Sequence, residues 1–479
     1  MKKAALLIPG ALAVPAAVCC ARAALIKKKP SEAAPAIRWT KEEEDLYAYR
    51  LSEMIKIPTI SKKQEEEYPE FIKYQERMKE LFPLTFKTLE DHSIEGNILL
   101  RWKGKNEGSG MLLMGHQDVV PADQSGWTHD PFGGEIADGC IHGRGAMDCK
   151  STMCCEFSAV EELIADGFVP EHDVWLFASR NEENSGGGSE AAVEWFRKNG
   201  IQLAAVMDEG GAVVGGIFPG LNRDCSAVGI VEKGFCNVKF IARSAGGHAS
   251  TPPKNSPFIR LSKFMVEVEK TSPFKKEFIT PVPEMFRSVA PYAAFPIRLV
   301  LGNMWAFGGL MKKVLPAVSA EGGAFIASTC AFTMSGGSTA ANVLPDEAYV
   351  IANIRPSVHQ NAGETIEVLR RIADKYDIET EVLMSRDASN TSSPYSDEFM
   401  YLTKCINECL PDTIATPYLM TGGTDSRQFE AVCENVLRFT PTRLTSEQLA
   451  AMHAANENIG VKAMAEGVKF YRYYIEHRA

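Results

Sequence analysis

The sequence predicts an α/β protein: a mainly parallel sheet with helices on both faces, into which a smaller α+β unit is inserted. Three observations carry that expectation. From about Thr40, helical patterns such as "KEEEDLYAYRLSEMIK" and "YPEFIKYQERMKELF" alternate with the short apolar runs "NILLRW", "GMLLMG", "DVWLFAS" and "LAAVMDE". Runs that short, and rich in branched and aromatic residues, suit parallel strands buried on both faces. Between about Val231 and Leu383 the texture changes, with "CNVKFIAR", "EAYVIANIRP" and "IETEVLM" set between helices such as "AGETIEVLRRIADKYD".

These shifts divide the chain. Residues 1–35 read as an N-terminal signal or membrane anchor with a linker, 36–230 as the first part of the main domain, 231–384 as an inserted lid domain, and 385–479 as the second part. In "MKKAALLIPGALAVPAAVCCARAALIKKKP" only Arg22 interrupts an apolar stretch flanked by lysines. That pattern predicts a membrane-anchored or secreted protein, an uncleaved anchor being preferred, with the side of the membrane open.

Composition narrows the function. At 479 residues the chain can bury a sizeable core in two domains. A net charge of −10 leaves no basic stripe to neutralise phosphates, which excludes nucleic acid as the main partner. The 12 cysteines show no CxxC pairing, so a disulfide framework is not expected.

The residues just past each apolar run point to one shared site. His116 and Asp118 come after "MLLMG", Glu182 and Glu183 after "VWLFAS", and Asp208 and Glu209 after "LAAVM". Ligands of open α/β sheets bind beyond the carboxyl ends of the strands. Histidine with several carboxylates is a ligand set for zinc, with manganese or cobalt possible. Singly, each residue has a bland reading, since a lone histidine is usually just a satisfied polar group. Their number, each at a strand end, favours a metal site. Glu182 and Glu183 are adjacent and point in different directions, so one ligand and one general base is the natural division. In "GRGAMDCK", Gly143 and Gly145 imply a backbone in tight quarters, and Asp148 and Cys149 stand at the mouth of a helix.

The segments "GHQDVVPADQSGWTHDPFGG", "GRGAMDCK", "NEENSGG", "MDEGG", "GGHAS", "NVLPDEAYVIANIRP", "GGTDSR" and "HAANE" together resemble the zinc-dependent aminoacylase/carboxypeptidase metallopeptidase family. The likeness runs from about Thr40 to the C-terminus and is greatest to the carboxypeptidase S and N-fatty-acyl-amino-acid synthase/hydrolase branch. It implies a dinuclear zinc amidohydrolase that cleaves a peptide or N-acyl amide bond beside a free carboxylate. Two Zn2+ per chain are implied, Co2+ or Mn2+ substituting. His116, Asp148 and Asp208 would ligate one ion, and Asp148, Glu183 and His453 the other, with Asp148 bridging. Asp118 would orient His116, and Glu182 would be the general base. His248 would stabilise the oxyanion, in many members across a homodimer formed through the lid. Arg355, Asn342 and the backbone at Gly423 would hold the substrate carboxylate, a task that suits an arginine fork.

Two departures stand out. Asn181 occupies a position the family usually gives to aspartate, and Cys149 one usually given to aspartate or asparagine, after a peptide bond that is cis in related enzymes. Cys149 either fills that corner or offers a soft ligand or oxidisable thiol. The competing function is a catalytically inactive, membrane-anchored binding protein using the same cleft. The presence of every ligand and the base weighs against it. The insert at residues 291–318 reads either as lid-domain core or as an apolar wall for acyl chains, with Trp305 and Phe307 lining it.

Overall fold

A computed structural model describes residues 4–27, 34–62, 69–216, 221 and 223–478. The apolar runs lie side by side in one sheet, in the order Ile98–Trp102, Val174–Ser179, Met111–His116, Ala205–Asp208, Val436–Arg438, Cys225–Glu232. Met111–His116 runs parallel to both its neighbours, Val436–Arg438 parallel to Ala205–Asp208, and Ile414–Met420 parallel to Cys225–Glu232. The expected α/β architecture is therefore present. The sheet reverses direction at two places: Cys225–Glu232 is antiparallel to Val436–Arg438, and Ile98–Trp102 is antiparallel to Val174–Ser179. Only a short segment without a helix joins Ile98–Trp102 to Met111–His116, and a parallel return needs a longer crossover.

Helices cover both faces. Lys150–Ala165, Lys41–Ile55 and Val461–Glu476 pack on one side around Tyr47, Leu51, Phe157, Phe470 and Tyr474. Thr40 and Glu43 form a reciprocal capping box at the start of Lys41–Ile55, which fixes where that helix begins. Gly188–Lys198 lies on the other side, closing a second core of Trp175, Phe177, Phe196 and Phe429. Parallel neighbours bring the carboxyl ends of the strands to one edge, and register places His116 opposite Ser179 and Arg438 opposite Asp208.

A second sheet has the order Thr329–Gly336, Glu347–Arg355, Phe235–Arg243, Glu379–Arg386, with every pair antiparallel. Glu347–Arg355 alternates strictly, burying Ala348, Val350, Ala352 and Ile354 beneath the helices Pro257–Thr271 and Ala362–Asp374. Its core is separate from that of the large sheet. Lys233 and Gly234 are all that separates Cys225–Glu232 from Phe235–Arg243. A Cβ on Gly234 would lie 2.5 Å from the Arg386 carbonyl oxygen, so the outgoing and returning crossings are pressed together.

The insert does not join that second core. Phe295–Leu301 and Met304–Val318 lie instead on the cluster formed by Val231, Val282, Phe286, Phe325 and Leu419. Met304–Val318 buries no residue fully, and Trp305 is 61% exposed.

The N-terminal segment corrects another expectation. Ala4–Leu25 is helical, but among the described residues no helix is long and apolar enough to cross a membrane. Cys19 and Ala23 are buried, and the Asn303 amide donates to the Cys19 carbonyl at 3.0 Å. Arg298 donates to the carbonyl of Ile26 at 3.3 Å. With Arg22 breaking its apolarity, the segment places apolar residues on the Phe295–Leu301 helix. The membrane-anchored or secreted placement rested on that apolarity, and the anchor is accordingly withdrawn, together with the membrane as a partner. Residues 1–3 and 28–33 of this segment lie outside the described residues.

Candidate metal and catalytic site

The site grows from the sheet's edge. His116 closes its strand, and its Nδ1 lies 2.8 Å from the Asp118 carbonyl oxygen. That nitrogen must donate there, which leaves Nε2 facing Asp148 Oδ1 at 2.9 Å, a contact that needs a proton or a metal ion between the two atoms. His453 Nε2 lies 2.9 Å from Asp148 Oδ2 and 3.3 Å from Glu183 Oε2. Asp148 thus stands between two imidazoles, one from the start of the chain and one from its end.

Buried Asp118 does more than face His116. Its Oδ1 accepts the Glu182 N–H and its Oδ2 the Glu183 N–H, both at 3.1 Å, and Ser61 Oγ donates to Oδ2 at 2.6 Å. One carboxylate therefore fixes the histidine loop and both glutamates. The "GRGAMD" turn has its own anchor. Glu457 accepts the N–H groups of Gly145, Met147 and Asp148 at 3.1, 2.8 and 3.2 Å, and pairs with Arg144 at 2.6 Å. Gly143 and Gly145 have φ of 147° and 87°. A Cβ there would meet Ile55 Cγ2 at 2.5 Å or Val119 Cγ1 at 2.7 Å, so the tight quarters expected of both glycines are real.

Electrostatics show what the pocket demands. Burial pushes the carboxyls of Glu182 and Glu209 well above their ordinary range, and Asp208 to about 6. Burial acts the same way on Asp148, but His116 and His453 outweigh it and hold that group well below the usual range. His453 is raised to about 10 by Asp148 and then Glu183. Glu183 Oε1 is buried without a hydrogen-bond partner. Crowded carboxylates, two imidazoles and an orphaned buried oxygen fit a divalent cation.

Two sets have ligand atoms within 4.8 Å of one another: Asp148, Glu183 and His453; and His116, Asp148 and Cys149. Asp208 stands outside both groups among the described residues. Its Oδ1 accepts the Glu209 N–H at 2.8 Å and its Oδ2 the Ser426 N–H at 3.1 Å. Cys149 is fully buried, its sulfur 3.1 Å from the His116 nitrogen, and burial pushes its thiol well up. The Asp148–Cys149 peptide bond is cis.

Above these residues opens a cavity of about 660 Å³, lined by Glu182, Glu183, His453, Arg355, Gly423 and others. Arg355 lies 4.6 Å over the Phe235 ring and donates from Nε to Asn353 at 3.1 Å. His248 and Asn342 do not line it. They belong to an exposed two-stranded ribbon of the second unit, where Gly247–His248 pairs with Val343–Leu344, distant in sequence, and the Asn342 carbonyl accepts the Ala249 N–H at 3.0 Å. Trp305 and Phe307 do not line it either. Sequence reasoning missed Glu457 as an anchor, although "HAANE" ends on it, and also missed buried Asp425; it placed Glu209 at the site but gave it no role.

Comparison with known proteins agrees with this geometry. Residues 112–477 match the family model described as peptidase family M20/M25/M40. The chain is 31% identical over 444 residues to a probable carboxypeptidase S-like 2 of Dictyostelium discoideum, covering 90% of this chain and 84% of that one. It is 28% identical over 454 residues to the N-fatty-acyl-amino acid synthase/hydrolase PM20D1 of Homo sapiens, covering 90% and 88%. Its fold resembles the M20 family metallo-carboxypeptidase Sso-CP2 from Sulfolobus solfataricus, with a TM-score of 0.66, 17% identity, and coverage of 90% of this chain and 98% of that one.

Proposed function

Because this chain belongs to peptidase family M20/M25/M40, and so is a metallopeptidase or amidohydrolase, we propose that its cleft cleaves a peptide or N-acyl amide bond beside a free carboxylate. The carrying observation is the convergence of Glu182, Glu183, His453, Arg355 and Gly423 on one cavity, with Asp148 held between His116 and that same His453. Two zinc-type ions are proposed, one held by His116, Asp148 and Asp208 and the other by Asp148, Glu183 and His453. When bound, such ions polarise the scissile carbonyl and lower the pKa of water.

The chain's own residues then divide the work. Asp118 fixes the backbone from which Glu182 and Glu183 project, so the base and a ligand keep a constant separation. Burial raises the proton affinity of Glu182, which suits it to take a proton from water and return it to the leaving amine. Arg355, braced by Asn353 and Phe235, grips the substrate carboxylate with the backbone at Gly423. The exposed ribbon carrying His248 and Asn342 supports a homodimer in which the second unit acts as a lid, offering these residues to the partner's cleft.

One observation favours an N-acyl substrate. A groove of about 510 Å³ begins at Gly210 and Gly211, directly after Glu209, and runs past Val214, Phe325, Tyr418 and Leu449. Its lining suits an acyl chain.

The test is hydrolysis of dipeptides and of N-acetyl and N-oleoyl amino acids by zinc-loaded protein and by Glu182→Gln. Turnover that falls by several orders of magnitude in the variant is expected. A wild-type protein inert towards all of these compounds, or a fully active variant, would refute the reading.

A further inference from the structure

A substrate with one carboxylate does not use the charge this cavity presents. Four cations share its wall: Lys233, Arg355, Arg386 and Arg427. Arg355 and Arg386 close strands that flank the one beginning at Phe235. Arg386 is directly opposite Phe235 in the register, and the Arg355 guanidinium lies 4.6 Å over the same ring. Side chains opposite one another across antiparallel strands share a face, so both arginines rise from one side of the sheet's end. Arg427 comes from the "GGTDSR" loop and donates to the Asp387 carbonyl at 2.8 Å. A carboxylate oxygen of Glu232 is 3.9 Å from it, beyond hydrogen-bond reach. Lys233 is 1% exposed, and its Nζ donates to the carbonyls of Ala324 and Ala327 at 3.1 and 2.8 Å.

Among the described residues, Lys233, Arg355 and Arg386 have no ion pair with a carboxylate. The cavity's acids stand elsewhere. Glu182 and Glu183 follow the Val174–Ser179 strand, Glu190 is on the next helix, and Asp425 is directed at Ser179 and Ser189. An unpaired cation held in a partly desolvated wall is costly unless a ligand supplies the opposite charge. Arg355 accounts for one anion only.

We propose that this wall recognises a released amino acid with two carboxylates, aspartate or glutamate. Arg355 takes the α-carboxylate, and Arg386 with Arg427 takes the side-chain carboxylate. The assignment rests on the hydrolase reading above and adds the identity of its leaving group. Strands in a sheet are about 4.8 Å apart, so Arg355 and Arg386 are rooted only two such spacings apart. Arms of that length close comfortably on two carboxylates of one small amino acid. A second anion at the far end of an acyl group would lie beyond the reacting carbonyl, away from this strand end.

Glutamate and glutamine derivatives are nearly isosteric and differ in one charge, which makes them the decisive pair. The zinc-loaded full chain would be assayed on N-acetyl and N-oleoyl derivatives of both, with N-succinyl-leucine against N-acetyl-leucine as a second arm. The glutamate derivative should be favoured at least tenfold in kcat/KM, and Arg386→Met should lower the glutamate-to-glutamine ratio at least tenfold. Equal turnover of the pair, or a ratio unmoved by the substitution, overturns the proposal. A preference for the succinyl compound alone overturns it too, because the second anion would then sit on the acyl side. If none of the compounds is hydrolysed, the hydrolase reading fails by itself. The subsite is then decided by calorimetric titration with N-acetyl-glutamate and N-acetyl-glutamine, where equal affinities overturn it.

Discussion

Glu457 and Arg144 form a closed ion pair at 2.6 Å, with side-chain exposures of 0% and 3%. The same carboxylate accepts three backbone N–H groups of the turn that carries Asp148. The proposed bridging residue is thus placed by a group from the far end of the chain.

Glu457→Ala should therefore act on stability and on metal together. Removing one partner of a buried pair typically costs about 3–5 kcal/mol, because the other charge is left uncompensated. Denaturant unfolding should show that loss, and metal retention should weaken as the Asp148 turn relaxes. Unchanged stability would mean that water reaches Arg144 and the pair is not closed.

Metal content separates ligand from base. The protein should bind about two zinc-type ions per chain, lose activity on chelation and regain it with Zn, Co or Mn. His453→Ala should lose metal, whereas Glu182→Gln should retain it. Elemental analysis of both variants checks the division, and identical metal loss in the two would contradict it.

The groove beyond Gly210 predicts a chain-length profile. Each buried methylene is worth about 0.8 kcal/mol, so KM for N-acyl amino acids should fall as the acyl group lengthens from acetyl towards oleoyl. Leu449 lines the groove, and Leu449→Trp should flatten the profile for long chains more than for acetyl. A flat wild-type profile would favour a plain carboxypeptidase.

Lys233 makes stability depend on pH. Burial, with the Arg355 charge second, lowers its pKa from the ordinary 10.5 to about 7. Between those values the unfolded chain binds the extra proton, so stability should rise with pH across that window, while below the folded value the full penalty remains. The wild type should therefore gain on Lys233→Met between pH 7 and pH 10, at about 1.4 kcal/mol per pH unit. Denaturant titrations at the two pH values give the difference. A gap that does not change with pH would show that Lys233 stays protonated in the fold.

The sequence was most informative where one strand carries its own chemistry. Met111–His116 and Val174–Ser179 are buried throughout, and the residues at or just past their ends meet because parallel strands share an edge. His116 and the glutamate pair after Val174–Ser179 were placed together in that way, whereas Asp148, at the mouth of a helix, and His453, in a loop, came from the likeness of their motifs to a known family. Asp208 also sits at a strand end, where each of its oxygens accepts a single N–H, from Glu209 and from Ser426, and keeps a lone pair for a ligand. Such local bracing leaves no mark on spacing. Glu457 was hidden because its partners are distant in sequence. The N-terminal segment misled because apolarity does not say whether lipid or another helix will cover it, and here Cys19 and Ala23 face the Phe295–Leu301 helix. Trp305 misled for the same reason, since an aromatic residue in an apolar insert can stay largely exposed.

The position of Asp148 between His116 and His453 also bears on biosynthesis. A ribosome releases the first imidazole long before the second, so in that interval a growing chain holds only half of this site. Glu457 emerges later still, followed by the Val461–Glu476 helix that packs against Lys41–Ile55 and Lys150–Ala165. Contacts of such long sequence separation form slowly, and the apolar faces that await them stay open in the meantime. Nascent chains stalled short of Val461 should therefore be prone to aggregate and unable to hydrolyse anything.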